Sequence, residues 1–174
     1  QQHLVHELIE TYIGLGRIYL DKNVLDSSIY YFKTAINESK SLGDTSLLTS
    51  ALLSYGWSQM WDPATYDEGE LNVSTARDLA KMVKDTSTYL SASSKLAQIY
   101  YYISDYLKAF DISIKINEIA NQRKDTFALI ENYYSLESIY SDLNLHEKQM
   151  EMVHKALAIS PFIKDTTKLF LIYR

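Results

Sequence analysis

The chain has 174 residues, 47% hydrophobic and 22% charged, with 5 Gly, 2 Pro, no Cys and a formal net charge of −5. So little Gly and Pro beside so much apolar content excludes a disordered chain and a loop-rich all-β protein, both of which need far more punctuation, and long helices are the natural reading. Lys and Arg stand singly, so there is no electrostatic footprint for nucleic acid or an anionic membrane; the lack of Cys removes disulfides, thiolate metal sites and a cysteine nucleophile while leaving the compartment open.

The N-terminus, Gln1-Gln2-His3, shows neither an initiator Met nor a signal pattern, so the chain reads as a piece of something longer, with sequence expected on both sides. No apolar run approaches the roughly 20 residues that a membrane-spanning helix needs. The first helical series carries Tyr12, Leu15, Gly16 and Tyr19; after a break at Asp21-Lys22-Asn23 a second series runs through Leu25, Ile29, Phe32, Ala35 and Ile36. Apolar residues three and four apart mark one face of a helix in each.

Asp44-Thr45 opens the next pair. The dipeptide returns at Asp85-Thr86, Asp125-Thr126 and Asp165-Thr166, at steps of 41, 40 and 40 residues, with Lys before it at Lys84, Lys124 and Lys164. An Asp carboxylate accepts from the unpaired amides of a first helical turn and sits at the positive end of the helix dipole, so each Asp-Thr predicts a helix start. The first helices continue through Leu52, Tyr55 and Gly56, then Leu96, Ala97 and Tyr100, then Tyr133, Leu136, Ile139 and Tyr140. Breaks at Asp62-Pro63-Ala64, Ser104-Asp105 and Asp142-Leu143-Asn144 precede second helices marked by Tyr66, Val73 and Ala76, by Tyr106, Ala109 and Ile116, and by Val153 and Ala156 before Pro161. The approximate hairpins are 4–43, 44–84, 85–124 and 125–163, with one extra residue in the acidic connector Asp62 to Glu70, and 164–174 begins the first helix of a fifth. Two antiparallel helices cannot bury both apolar faces alone, so neighbouring hairpins must stack.

The first hairpin, with Tyr12, Leu15, Gly16, Tyr19, Asn23, Leu25, Ser28, Phe32 and Ala35, resembles the tetratricopeptide repeat, and the match extends in looser form to the end of the chain at a long period of about 40 residues. The resemblance implies an all-α, right-handed superhelical solenoid of helical hairpins, in which Gly16, Gly56 and Ala97 let the two helices of a hairpin approach. Glu137 departs from that small position and must find a donor or reach solvent.

Composition and spacing single out no chemistry. His3, His6, His146 and His154 find no completing ligand set, and Asp62, Asp67, Glu68 and Glu70 lack the alternation of a calcium loop. Gly14-Leu15-Gly16 lies within a helix rather than after a strand, which excludes a phosphate loop. No nucleophile elbow or singled-out carboxylate pair is present, so no enzyme activity and no cofactor are expected.

Aromatic content is the feature that remains, at 15 Tyr, 5 Phe and 2 Trp. The resemblance implies that first helices line a concave face, which places Ile13, Arg17, Leu53, Trp57, Trp61, Ser94, Gln98, Tyr101, Tyr102, Tyr134, Ser138 and Ser141 there. Trp57, Trp61, Tyr101, Tyr102 and Tyr134 would then form an aromatic strip, with Arg17, Lys95 and Gln98 as polar contacts for a protein or peptide. The pattern that clamps acidic chaperone tails is largely missing, since Ile13, Arg17, Ser54, Ser91 and Lys95 occupy its positions. A second reading is the sensory or regulatory part of a bacterial signalling or transcription-regulator protein, and a third is end-to-end self-association through the unfinished fifth hairpin.

Overall fold

The computed structural model of the protein describes residues 2–162, with all their side chains except those of Gln2, Trp61 and Phe162. The expected fifth helix start at Asp165 lies outside the described residues. Within them the fold is all-α, without strands: α1 (Gln2–Asp21), α2 (Leu25–Leu42), α3 (Thr45–Ser58), α4 (Tyr66–Met82), α5 (Thr86–Tyr102), α6 (Tyr106–Arg123), α7 (Thr126–Asp142) and α8 (His146–Ile159), with 3-10 turns at Gln59–Trp61 and Ser160–Phe162. The chain divides into two compact units, residues 1–92 and 93–174. In the first, α1 packs on α2, α2 on α3 and α3 on α4, and α1 also touches α3. In the second, α6 packs on α7 and α7 on α8.

Local chemistry sets the helix starts. The Asp44 carboxylate accepts from the Leu47 amide at 3.0 Å, Asp85 from the Thr88 amide at 3.1 Å and Asp125 from the Ala128 amide at 3.1 Å. Each satisfies one orphan donor of the first turn, as the recurring Asp-Thr predicts. The helix ends are equally regular. The residue before each cap, Gly43, Lys84 or Lys124, is left-handed, with φ of 72°, 59° and 55°. Its amide and the next return to the preceding helix: Gly43 to the Lys40 carbonyl and Asp44 to Ser39, Lys84 to Lys81 and Asp85 to Ala80, Lys124 to Asn121 and Asp125 to Ala120. This is the Schellman closure. The same pair of bonds closes α1, α5 and α7 around left-handed Asn23, Ser104 and Asn144.

The second hairpin is the exception. There α3 stops at Ser58, residues 59–61 tighten into a 3-10 turn, and the Asp62 carboxylate takes the Ala64 amide at 2.9 Å before α4 begins. Gly16 and Ser28 lie 12 positions apart, but Gly56 and Gly69 lie 13 apart, so the extra residue is absorbed in this tightened connector.

Close crossings explain the small residues. A Cβ on Gly16 would fall 2.5 Å from a Phe32 ring carbon, and the Ser28 hydroxyl donates to the Gly16 carbonyl at 2.8 Å. At Gly56 a Cβ would meet the Gly69 carbonyl oxygen at 2.8 Å, and one on Gly69 would meet the Gly56 oxygen at 2.9 Å. Here backbone packs on backbone. The core of the first unit gathers Ile9, Phe32, Ala51, Leu52 and Tyr55 around these crossings, and the second unit buries Leu96, Ile99, Ile116, Ile130 and Ile139. Complete burial of Phe32 contributes about 1.5–3 kcal/mol relative to leaving it exposed.

Candidate functional site

The expected contact residues fall in both units: Arg17, Trp57 and Trp61 in the first, Lys95, Gln98, Tyr101, Tyr102 and Tyr134 in the second. In the first unit the Arg17 guanidinium reaches from α1 to α3 and donates to the Ser54 hydroxyl through Nε at 3.1 Å and Nη2 at 2.8 Å. Ser54 donates in turn to the Ser50 carbonyl at 2.9 Å. Trp57, one turn beyond Ser54 on α3, is half-buried, and Trp61 lies in the 3-10 turn that follows. Ile13 is not a surface contact: it is 5% exposed and belongs to the core, because α1 turns that face toward Phe32 and Tyr55.

In the second unit Lys95, Gln98 and Tyr101 are half-buried along α5, whereas Ser94 is buried and so is withdrawn from the expected surface. Tyr134 is half-buried on α7, where its carbonyl accepts from the Ser138 hydroxyl at 3.1 Å. The structure brings Tyr101 and Tyr102 together at 5.5 Å between ring centroids and adds Tyr106, 6.2 Å from Tyr101. Asp142, the last residue of α7, accepts from the Tyr106 hydroxyl at 3.3 Å and from the Tyr101 hydroxyl. Burial and then the bond to Asp142 push the Tyr101 phenol above its ordinary value, so the Tyr101 hydroxyl stays a protonated donor at neutral pH.

Tyr106 and Asp142 are the contributors that the sequence reading left out of the surface. Tyr106 carried a signal, since it stands 40 residues after Tyr66 at the same place in its helix. Asp142 carried none, because an Asp at a turn reads as a solvated break. Beside them Lys108 is already engaged, its Nζ 3.1 Å from Asp105 and 4.8 Å from the Tyr100 ring centroid. The Asp105 carboxyl is held below the usual range by hydrogen bonds from the Lys108 side chain and amide.

At the start of the chain an open concavity of about 570 Å³ is lined by His3, His6, Glu7, Glu10, Leu42, Gly43 and Asp44. His6 lies 3.9 Å from Glu10 and 3.8 Å from Asp44, a pairing that the sequence did not reveal. Among the described residues no three His, Asp or Glu side chains are grouped to hold a metal ion. Nor is any described helix long and apolar enough to cross a membrane. Compared with protein-family models and with curated proteins, the chain matches none.

Proposed function

We propose that the chain is a non-enzymatic interaction module of tetratricopeptide type, a right-handed solenoid of helical hairpins that takes an extended or helical segment of another protein. The observation that carries this reading is the repetition itself: six helix ends share one left-handed closure. The first helices of the hairpins carry half-buried Trp57 with Arg17 in the first unit, and half-buried Tyr101 and Tyr134 with Lys95 and Gln98 in the second. Half-buried aromatic rings bring large contact area with few rotatable bonds, which suits them as anchors for a partner.

The test is capture of partners from native lysate by the chain, beside a Trp57→Ala/Trp61→Ala variant whose helicity by circular dichroism equals that of the wild type. Loss of a specifically captured protein from the variant supports the module and its anchors. Capture indifferent to both substitutions overturns the assignment of the anchors.

A further inference from the structure

In the second unit tyrosines from the end of α5 and the start of α6 gather at the Asp142 carboxylate, which closes α7. Tyr102 closes α5 and Asp142 closes α7, so two negative helix termini lie where Asp142 accepts from the Tyr106 and Tyr101 hydroxyls. Around this point stand three tyrosine rings, Tyr101 between Tyr102 at 5.5 Å and Tyr106 at 6.2 Å, inclined at 53° and 42°. Ring faces, carbonyl ends and a carboxylate all favour positive charge. Asp142 is exposed and makes no salt bridge among the described residues, Lys108 being turned to Asp105 and Tyr100. Tyr102 is 54% exposed, so a face of the cluster is open to solvent.

We propose that Tyr101, Tyr102, Tyr106 and Asp142 form a receptor for a lysine side chain of the partner segment. The aliphatic stem lies against the rings and the ammonium approaches Asp142. The Tyr106 hydroxyl occupies Asp142 Oδ2, so a bidentate guanidinium fork would have to share that oxygen, whereas a compact ammonium needs only a lone pair on Oδ1. The chain's net charge of −5 also draws cationic segments toward it. This deepens the reading of the chain as a peptide-binding module and rests on it.

The experiment is an NMR titration of the full chain with Nα-acetyl-lysine methylamide, against Nα-acetyl-norleucine methylamide as the uncharged analogue and Nα-acetyl-arginine methylamide as the guanidinium control. The lysine derivative is expected to shift the ring protons of Tyr102 and Tyr106 saturably and to bind at least about threefold more tightly than either control, an advantage lost on adding 0.5 M salt. Asp142→Asn and Tyr102→Ala, both at exposed positions, are expected to abolish the preference while leaving the circular dichroism unchanged. Equal shifts from lysine and norleucine, or a lysine preference that survives Asp142→Asn, overturn the receptor. The two readings fail separately: a partner captured through Trp57 and Trp61 with no lysine preference removes the receptor alone, and a lysine preference without any captured partner removes the module.

Discussion

Gln149 of α8 donates its side-chain amide to the Glu137 carboxylate of α7 at 2.7 Å. These residues stand where the other hairpins place Gly16 with Ser28, Gly56 with Gly69 and Ala97 with Ala109. In the first two hairpins the helices approach closely over these small residues; in the last one a hydrogen-bonded pair fills the same place. The donor that Glu137 required is therefore the residue directly across the crossing.

The pair is coupled, and a double-mutant cycle measures it. Glu137→Ala, Gln149→Ala and their combination, unfolded in urea, should give an interaction energy of about 0.5–1.5 kcal/mol, below the range for a buried bond to a charged group because both side chains are half-exposed. Strictly additive effects would show the bond to contribute nothing.

Gly14 and Gly16 should respond oppositely to Ala. Nothing lies within 4 Å of a Cβ on Gly14, while one on Gly16 meets the Phe32 ring. Gly14→Ala should stabilise by about 0.5–1 kcal/mol, since Ala is the better helix former, and Gly16→Ala should destabilise by about 1–3 kcal/mol through overpacking. Shifts of the urea midpoint in the same direction for both would contradict the crossing geometry.

Left-handed lysines are stabilisation left unused. Lys84 and Lys124 occupy the position that Gly43 fills in the first hairpin. Lys84→Gly and Lys124→Gly should each raise stability by about 0.5–1 kcal/mol, because Gly carries no Cβ penalty there. A lowered thermal midpoint would show that the lysine side chains contribute more than the backbone strain costs.

A polar pair stands in the α6–α7 interior. Buried Asn132 donates to the Ser113 carbonyl at 3.0 Å, yet Asn132 Oδ1 and Ser113 Oγ have no partner. At the same positions of α2 and α3 the chain places Phe32 and Ala51, both fully buried. Ser113→Val combined with Asn132→Ala removes both orphans and should stabilise the fold by about 1–2 kcal/mol, whereas Ser113→Val alone gains less because Asn132 Oδ1 stays unpaired. Chemical denaturation of the two variants beside the wild type decides it.

Alkaline pH should weaken the fold through Tyr66. Burial first, then Glu70 and Asp67, push its phenol from 10.0 up to about 12. A group whose folded pKa is raised contributes stability that is complete below its unfolded value and is lost as pH rises through the folded one. The window is therefore pH 10 to 12, and Tyr66→Phe should flatten the decline of the urea midpoint there. An unchanged slope would place the alkaline sensitivity elsewhere.

What the sequence determined by itself is the helix plan, because caps and closures are interactions of residues within one turn of each other. Asp44, Asp85 and Asp125 announced their helices through a carboxylate and an amide three residues on, and Gly16 and Gly56 announced close crossings by lacking a side chain. Only the tertiary structure decided how side chains from different helices meet. Ile13 reads as surface from its repeat position but lies in the core, and Ser94 likewise. Glu137 and Gln149 become partners only once α7 and α8 cross, and Asp142 becomes an acceptor for Tyr106, 36 residues away, only when α6 packs on α7. Those contacts depend on how α6, α7 and α8 are juxtaposed, which the pattern within any single helix does not encode.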